Sequence, residues 1–159
     1  MAKRSGSLAS TEETSAASML GALRAAGLRL TPQRSAICQA LAGNKQHPTA
    51  QALFEQLRVD HPTLSRATVY NTLNTLVDAG LLLELASAGN GNAHFDPDVS
   101  PHVHLVCVQC EQIEDVEDRA LAGLARRVAQ HSGYELRNAG LAYYGVCPRC
   151  QKANGRGQR

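Results

Sequence analysis

Between residues 94 and 110 the chain reads HFDPDVSPHVHLVCVQC, placing three histidines, two aspartates and two cysteines in seventeen positions. The thiols have counterparts further on, because CVQC at 107–110 is matched by CPRC at 147–150. Two residues between the cysteines of a pair let both sulfurs reach one ion. Four thiolates on two such knuckles make the tetrahedral cage preferred by structural Zn2+. The interval between the pairs exceeds that of a simple zinc ribbon, so the intervening segment has to fold back. A thioredoxin-like redox pair and idle thiols are the competing readings, and no strand–CxxC–helix pattern supports the first. With Cys107, Cys110, Cys147 and Cys150 assigned to zinc, the imidazoles need another partner. His102 and His104 stand two apart in the alternating run HVHLVC, so both project to one face of a strand. Asp96 lies upstream and Asp115 just past the first knuckle. Imidazole and carboxylate donors in this mixture suit Fe2+ or Mn2+, as thiolates suit zinc. Two chemically segregated sites are expected, although a half-exposed polar stripe would also read His-x-His. Two histidines and a carboxylate can equally form the iron triad of a mononuclear oxygenase or hydrolase, here His102, His104 and Asp96.

These residues must be positioned by short elements. Residues 1–15 are Ser/Thr-rich and read as a disordered tail. A helix over SMLGALRAAG ends at Gly27. LTPQRSAICQALAG has Thr31 as cap, Pro32 at the first helical position, Ile37 and Leu41 on one face and Gly43 as stop. HPTAQALFEQLRVD repeats the pattern, with Thr49 as cap and Ala52, Leu53, Phe54 and Leu57 as its apolar face. LSRATVYNTLNTLVDAG follows, capped at Ser65 or Thr68 and stopped by Gly80. The period then changes: LLLELAS is a strand, SAGNGN a turn, and AHFDP the returning strand. Short helices followed by a hairpin are the plan of a winged helix-turn-helix, whose last helix before the wing is the recognition helix. HVHLVCVQC then reads as a strand, DRALAGLARRVAQHSG as an amphipathic helix, and YELRNAGLAYYGVC as one or two strands. The expected class is α+β. It comprises a winged-helix domain over 16–88, a metal-binding and dimerisation α/β domain over 89–152 and a flexible tail over 153–159. Cys38 reads as a small buried hydrophobe, His61 as a turn residue, and His94 and His131 as surface or packing residues.

Composition sets the outer limits. No apolar run approaches the roughly 18 residues of a membrane span, and the polar start lacks a signal-peptide core, so a cytoplasmic protein is expected. Five cysteines in that setting favour metal or redox chemistry over a disulfide framework. The net charge of +2 hides an asymmetry. Residues 1–80 carry 8 Lys/Arg against 5 Asp/Glu, and residues 81–159 carry 8 against 9. The excess sits on the half that reads as a DNA-binding domain.

LRLTPQRSAI, HPTAQALF, LSRATVYNTLNTLVDAGLL, HFDPDVSPHVHLVCVQC, DVED and YYGVCPRC occur in the order in which the Fur family of metal-responsive bacterial repressors has them. The chain resembles that family over about residues 18–152. The resemblance implies a homodimer that binds an A/T-rich inverted repeat of double-stranded DNA. It puts Cys107, Cys110, Cys147 and Cys150 on the structural zinc cage. His47, Asp96, His102, His104 and Asp115 fall on the regulatory Fe2+/Mn2+ site of the peroxide-sensing PerR branch. His47, a loop histidine by itself, then bridges the two domains; with Asp115 it would fill the positions an enzyme leaves open. Asp115 rather than Glu, and Asn71 rather than Arg after Tyr70, are similar to that branch; an iron-responsive repressor is the alternative, followed by a zinc or manganese sensor. Pro101, Val103 and Ala139 stand where some members place ligands of a further metal site, which is therefore expected to be missing. In this frame Arg29, Arg34 and Arg66 meet phosphates, Thr68 is a further DNA-binding residue, and Tyr70 and Asn71 on the recognition helix face the bases, unless Tyr70 packs in the core. With Fe2+, peroxide would oxidise a ligand histidine, His47 or His102, and end repression. One departure is Glu111, where the family usually has glycine after the first CxxC.

Overall fold

The structure, a computed structural model, is described over residues 15–86, 91–117, 119–135 and 140–155. Helix starts follow from side-chain caps that satisfy the free N–H groups of the first turn. Thr31 accepts from the Arg34 N–H ahead of α2 (Pro32–Leu41), and Thr49 from Ala52 ahead of α3 (Ala50–Leu57). Ser65, not Thr68, caps α4 (Arg66–Asp78). Ser15 caps α1 (Ala16–Ala25), which begins slightly before the expected SMLG. Gly27 and Gly80 leave α1 and α4 at φ 77° and 70°, the left-handed stop that glycine adopts without strain.

The apolar stripes converge on one core. Met19 and Leu23, Ile37 and Leu41, Leu53, and Val69, Leu73 and Leu76 are all fully buried. Each such side chain contributes roughly 1.5–3 kcal/mol through lost apolar exposure. Cys38 belongs to this cluster, and burial pushes its thiol up to about 11, as befits an inert packing residue. On α3 the expectation for Ala52 is corrected. Ala50 is buried and Ala52 exposed, because the Thr49 cap sets a phase in which Ala50, Leu53 and Leu57 share the inward face.

The hairpin follows as β1 (Leu83–Leu85) and β2 (His94–Asp96), antiparallel with Leu83 opposite Asp96 and Leu85 opposite His94. The boundary expected at 88/89 falls between these strands. Strand β2 is tied to the connection ahead of α3 as well. The Phe95 N–H donates to the Pro48 carbonyl at 3.0 Å, and Thr49 bridges to His94.

In the second half, β3 (His102–Cys107) is the central strand. It pairs antiparallel with β4 (Ile113–Val116) and parallel with β5 (Gly140–Gly145). Parallel neighbours need a long crossover, which α5 (Arg119–Ser132) provides. Strand β4 is absent from the sequence-based expectation, since five acids in EQIEDVED mask its alternation. Helix α6 (Pro148–Gly155) corrects the expected loose tail, taking in residues 153–155, with Pro148 at the first helical position. Residues 1–14, most of the SAGNGN turn (87–90), Ala139 and residues 156–159 lie outside the described residues. Among the described residues no helix is long and apolar enough to cross a membrane.

Candidate metal centres and nucleic-acid interface

Parallel pairing explains how distant cysteines meet. Cys107 ends β3 opposite Gly145, the last residue of β5, so both CxxC segments leave the sheet side by side. The four sulfurs lie within 4.8 Å of one another. Cys110 Sγ is 3.8 Å from Cys147 Sγ, and the Cys147 N–H donates to Cys107 Sγ at 3.3 Å. Bonds of about 2.3 Å to one Zn2+ place tetrahedral sulfurs about 3.8 Å apart. A disulfide would need about 2.05 Å, and all four cysteines are free. Backbone N–H groups, first that of Cys147, hold Cys107 down at about 6, whereas the neighbouring thiols Cys147 and Cys110 push Cys150 up to about 12. Four sulfurs this close resist joint ionisation unless a cation shares them. The second pair does sit at a strand–CxxC–helix junction, between β5 and α6, contrary to the sequence reading. The company of two further sulfurs still fits a structural zinc cage better than a redox pair. The structure also sets Glu111 at φ 60°, the left-handed turn for which glycine is suited.

The second cluster brings together His47, Asp96, His102, His104 and Asp115, with one donor atom from each within 4.8 Å of the others. Strand geometry does most of this. His102 and His104 share a face of β3, and β4 sets Asp115 directly opposite His104. Asp96 enters at the end of β2, and His47 from the turn between α2 and α3. Asp96 Oδ2 is 2.9 Å from His104 Nε2, 3.0 Å from His102 Nε2 and 3.5 Å from His47 Nε2. Asp115 Oδ1 is 3.0 Å from His47 Nε2. The His102 and His104 Nε2 atoms are 2.9 Å apart. Metal–ligand bonds of about 2.1 Å at right angles separate donors by about 3.0 Å, the spacing of the shortest contacts in the cluster.

The donor chemistry points the same way. His102 Nδ1–H donates to the Ser100 carbonyl at 2.8 Å, which turns Nε2 toward the cluster, where its proton would have to leave before it could ligate an ion. Both ring nitrogens of His47 are buried; Nδ1 has no partner, and Nε2 meets only the carboxylate oxygens of Asp115 and Asp96, a pairing that a shared cation would complete. Burial alone would raise the Asp96 carboxyl, but hydrogen bonds from His102, His104 and His47 hold it well below the usual carboxylate range. In turn the Asp96 hydrogen bond pushes His102 up to about 9, against the effect of burial. The cluster is closed on the side of His47, His102 and His104, each at most 2% exposed. It opens past Asp115 into a cavity of about 300 Å³ lined also by Lys45, Asp98 and Glu117. His94 is not merely a surface or packing residue as its sequence context suggests: its Nδ1 lies 2.7 Å from the His47 carbonyl oxygen. Its place two residues before Asp96, on the same strand face, was the available signal.

The proposed DNA-facing residues are not all equivalent. Tyr70 is half exposed, so it does not pack in the core, and Asn71 is exposed beside it on α4. Tyr70 lines a shallow cleft with Gln51 of α3 and Asn92 of the hairpin. The Arg66 guanidinium lies 5.4 Å from the Phe54 ring centroid, a cation–π contact that orders it. Arg29 is exposed, while Arg34 is partly buried and donates to the Arg29 carbonyl. Thr68 serves the start of α4, its N–H and hydroxyl both bonded to the Ser65 hydroxyl.

A profile of the ferric uptake regulator family matches residues 25–144, from the last residue of α1 into β5. The peroxide-responsive repressor PerR of Staphylococcus aureus is 38% identical over 133 residues, which cover 83% of this chain and 88% of that protein. The ferric uptake regulator of Pseudomonas aeruginosa, solved with manganese, is similar at a TM-score of 0.66 and 29% identity, over 82% of this chain and 98% of that one. The ferric uptake regulator of Helicobacter pylori shares the fold at a TM-score of 0.69 and 20% identity, over 86% and 94%. The chain therefore belongs to the ferric uptake regulator family.

Proposed function

We propose that this chain is a metal-dependent, DNA-binding transcriptional repressor of the peroxide-responsive kind, working as a homodimer. The observation that carries it is the convergence of His47, from between two helices of the N-terminal half, with His102, His104 and Asp115 of the second sheet. Those residues, with Asp96, would hold Fe2+ or Mn2+, and the Cys107, Cys110, Cys147 and Cys150 cage would hold Zn2+. Bound Fe2+ would supply the redox chemistry with peroxide that damages His47 or His102, and Mn2+ the same grip without it.

The residues themselves do the coupling. Drawing His47 onto the second sheet fixes the angle between the domains, and with it the separation of the two α4 helices in a dimer. Metal then favours the DNA-competent arrangement, and DNA must tighten metal binding by the same factor, typically about 1–3 kcal/mol. Near-complete switching would take roughly 5.5 kcal/mol of differential affinity. Arg29, Arg34 and Arg66 would neutralise phosphates, while Tyr70 and Asn71 meet base edges of an A/T-rich inverted repeat. A donor set of five leaves less room for substrate than the two histidines and one carboxylate of an oxygenase, which favours a sensor over an enzyme. The test is metal analysis of protein purified without oxygen, then peroxide treatment and peptide mass spectrometry. A gain of one oxygen atom on the His47 or His102 peptide, with loss of DNA binding, is expected. Unmodified histidines with iron-dependent binding intact would leave the iron-responsive reading in its place.

A further inference from the structure

His94 stands outside the five-donor cluster but is joined to it through the backbone. Its Nδ1 is 2.7 Å from the His47 carbonyl oxygen, and since a carbonyl can only accept, Nδ1 carries the hydrogen. His47 itself has φ 48°, a left-handed conformation that a residue with a Cβ holds only when its surroundings enforce it. The next peptide is held from the same strand, with Phe95 N–H bonded to the Pro48 carbonyl at 3.0 Å and Thr49 bridged to His94. Strand alternation sends Phe95 into the core, 2% exposed, and leaves His94 and Asp96 on the opposite face. One short strand thus delivers both a donor, Asp96, and a bond to the backbone of a second donor.

We infer that His94 is a positioning residue of the regulatory centre. Its Nδ1–H fixes the peptide after His47 so that the His47 ring is aimed at Asp96 and Asp115. This inference rests on the reading of the cluster as a metal site. It adds a mechanical route, because the residue that His94 holds lies two positions before Thr49, the cap of α3. Ligation at His47 therefore loads the hairpin and the start of α3 together, both parts of the winged helix.

The test uses the zinc-loaded full chain with His94→Leu, His94→Asn and His47→Ala. Leucine removes the donor, whereas the asparagine amide places an N–H near the position of Nδ1. Mn2+ is titrated by electron paramagnetic resonance and Co2+ by its visible absorption. His94→Leu is expected to weaken Mn2+ binding by about 10–100-fold and alter the Co2+ bands, as loss of an outer-shell partner does. His94→Asn should remain within about threefold of the parent, and zinc content and circular dichroism should not change in either. Parental affinity in His94→Leu, with affinity lost in His47→Ala, would overturn the role of His94 and leave the proposed function standing. Equal losses in the leucine and asparagine variants, or loss of zinc from the leucine variant, would also overturn it. Parental affinity in His47→Ala would sink both.

Discussion

Replacing His47 with alanine removes the donor that comes from the turn between α2 and α3, and its consequence can be worked out from the cluster. The four remaining donors, on β2, β3 and β4, still form a binding set, so metal binds more weakly but is not abolished. The cost to the metal-free fold is limited. Deleting a buried ring loses packing and the 3.0 Å contact to Asp115, but it also deletes Nδ1, a buried nitrogen without a partner, worth about 1–3 kcal/mol when unsatisfied. The change therefore falls on coupling. If the parent gains about 1–3 kcal/mol of DNA affinity from metal, saturating Mn2+ should tighten operator binding roughly 5–150-fold. In His47→Ala that ratio should drop below about twofold, near 0.4 kcal/mol. Fluorescence anisotropy with a duplex selected in the presence of Mn2+ measures both limits, with zinc content and dimer mass as controls. A variant that keeps the parental Mn2+ response, while remaining zinc-loaded and dimeric, would refute the bridge between the domains.

Other consequences are more local. Glu111→Gly relieves the φ 60° conformation of the first knuckle and should raise stability of the zinc-loaded protein by about 0.5–1 kcal/mol in a denaturant melt; a loss of that size would mean the glutamate side chain matters more than its backbone. His102 holds its proton up to about 9 in the metal-free fold, so an incoming ion must displace it. Affinity at the cluster should therefore rise with pH below about 9, by up to about tenfold per unit, with proton release measurable by calorimetry in buffers of different ionisation heat. A flat profile between pH 6.5 and 9 would contradict the Asp96–His102 contact. Cys147→Ser should release zinc and cost several kcal/mol of stability, because the cage joins the end of β3 to the start of α6; retention of full zinc would exclude that sulfur as a ligand. Tyr70→Ala should weaken DNA binding by about 1–3 kcal/mol with little change in melting temperature, since the ring is half exposed; the reverse pattern would make it a packing residue.

Much of the N-terminal half was legible because its signals are local. A cap, a phase of apolar residues and a glycine stop each act within one helix, and Thr31, Thr49 and Gly80 behave accordingly. Where the phase was misjudged, at Ala52, the cap residue set it. The second half was harder. Strand β4 is short and half acidic, and its partner, β3, supplies the pairing that its own sequence does not advertise. Helix α6 was missed because its polar, weakly periodic sequence reads as a tail, although Cys147 and Cys150 give it a firm start.

Donor types and their segregation into thiolate and imidazole–carboxylate sets were determined by the amino-acid sequence alone, because ligand softness is a property of the side chain. The i,i+2 spacing of His102 and His104 likewise needed only the period of a strand. Which of the other four histidines joins them is decided by tertiary structure. Only the return of β2 against residues 47–49 brings His47 to Asp96, and only β3–β4 register sets Asp115 opposite His104. The same holds for the cysteine cage, assembled by parallel pairing of two strands that lie far apart in the chain. Such contacts depend on register and crossover, which a linear pattern does not encode locally.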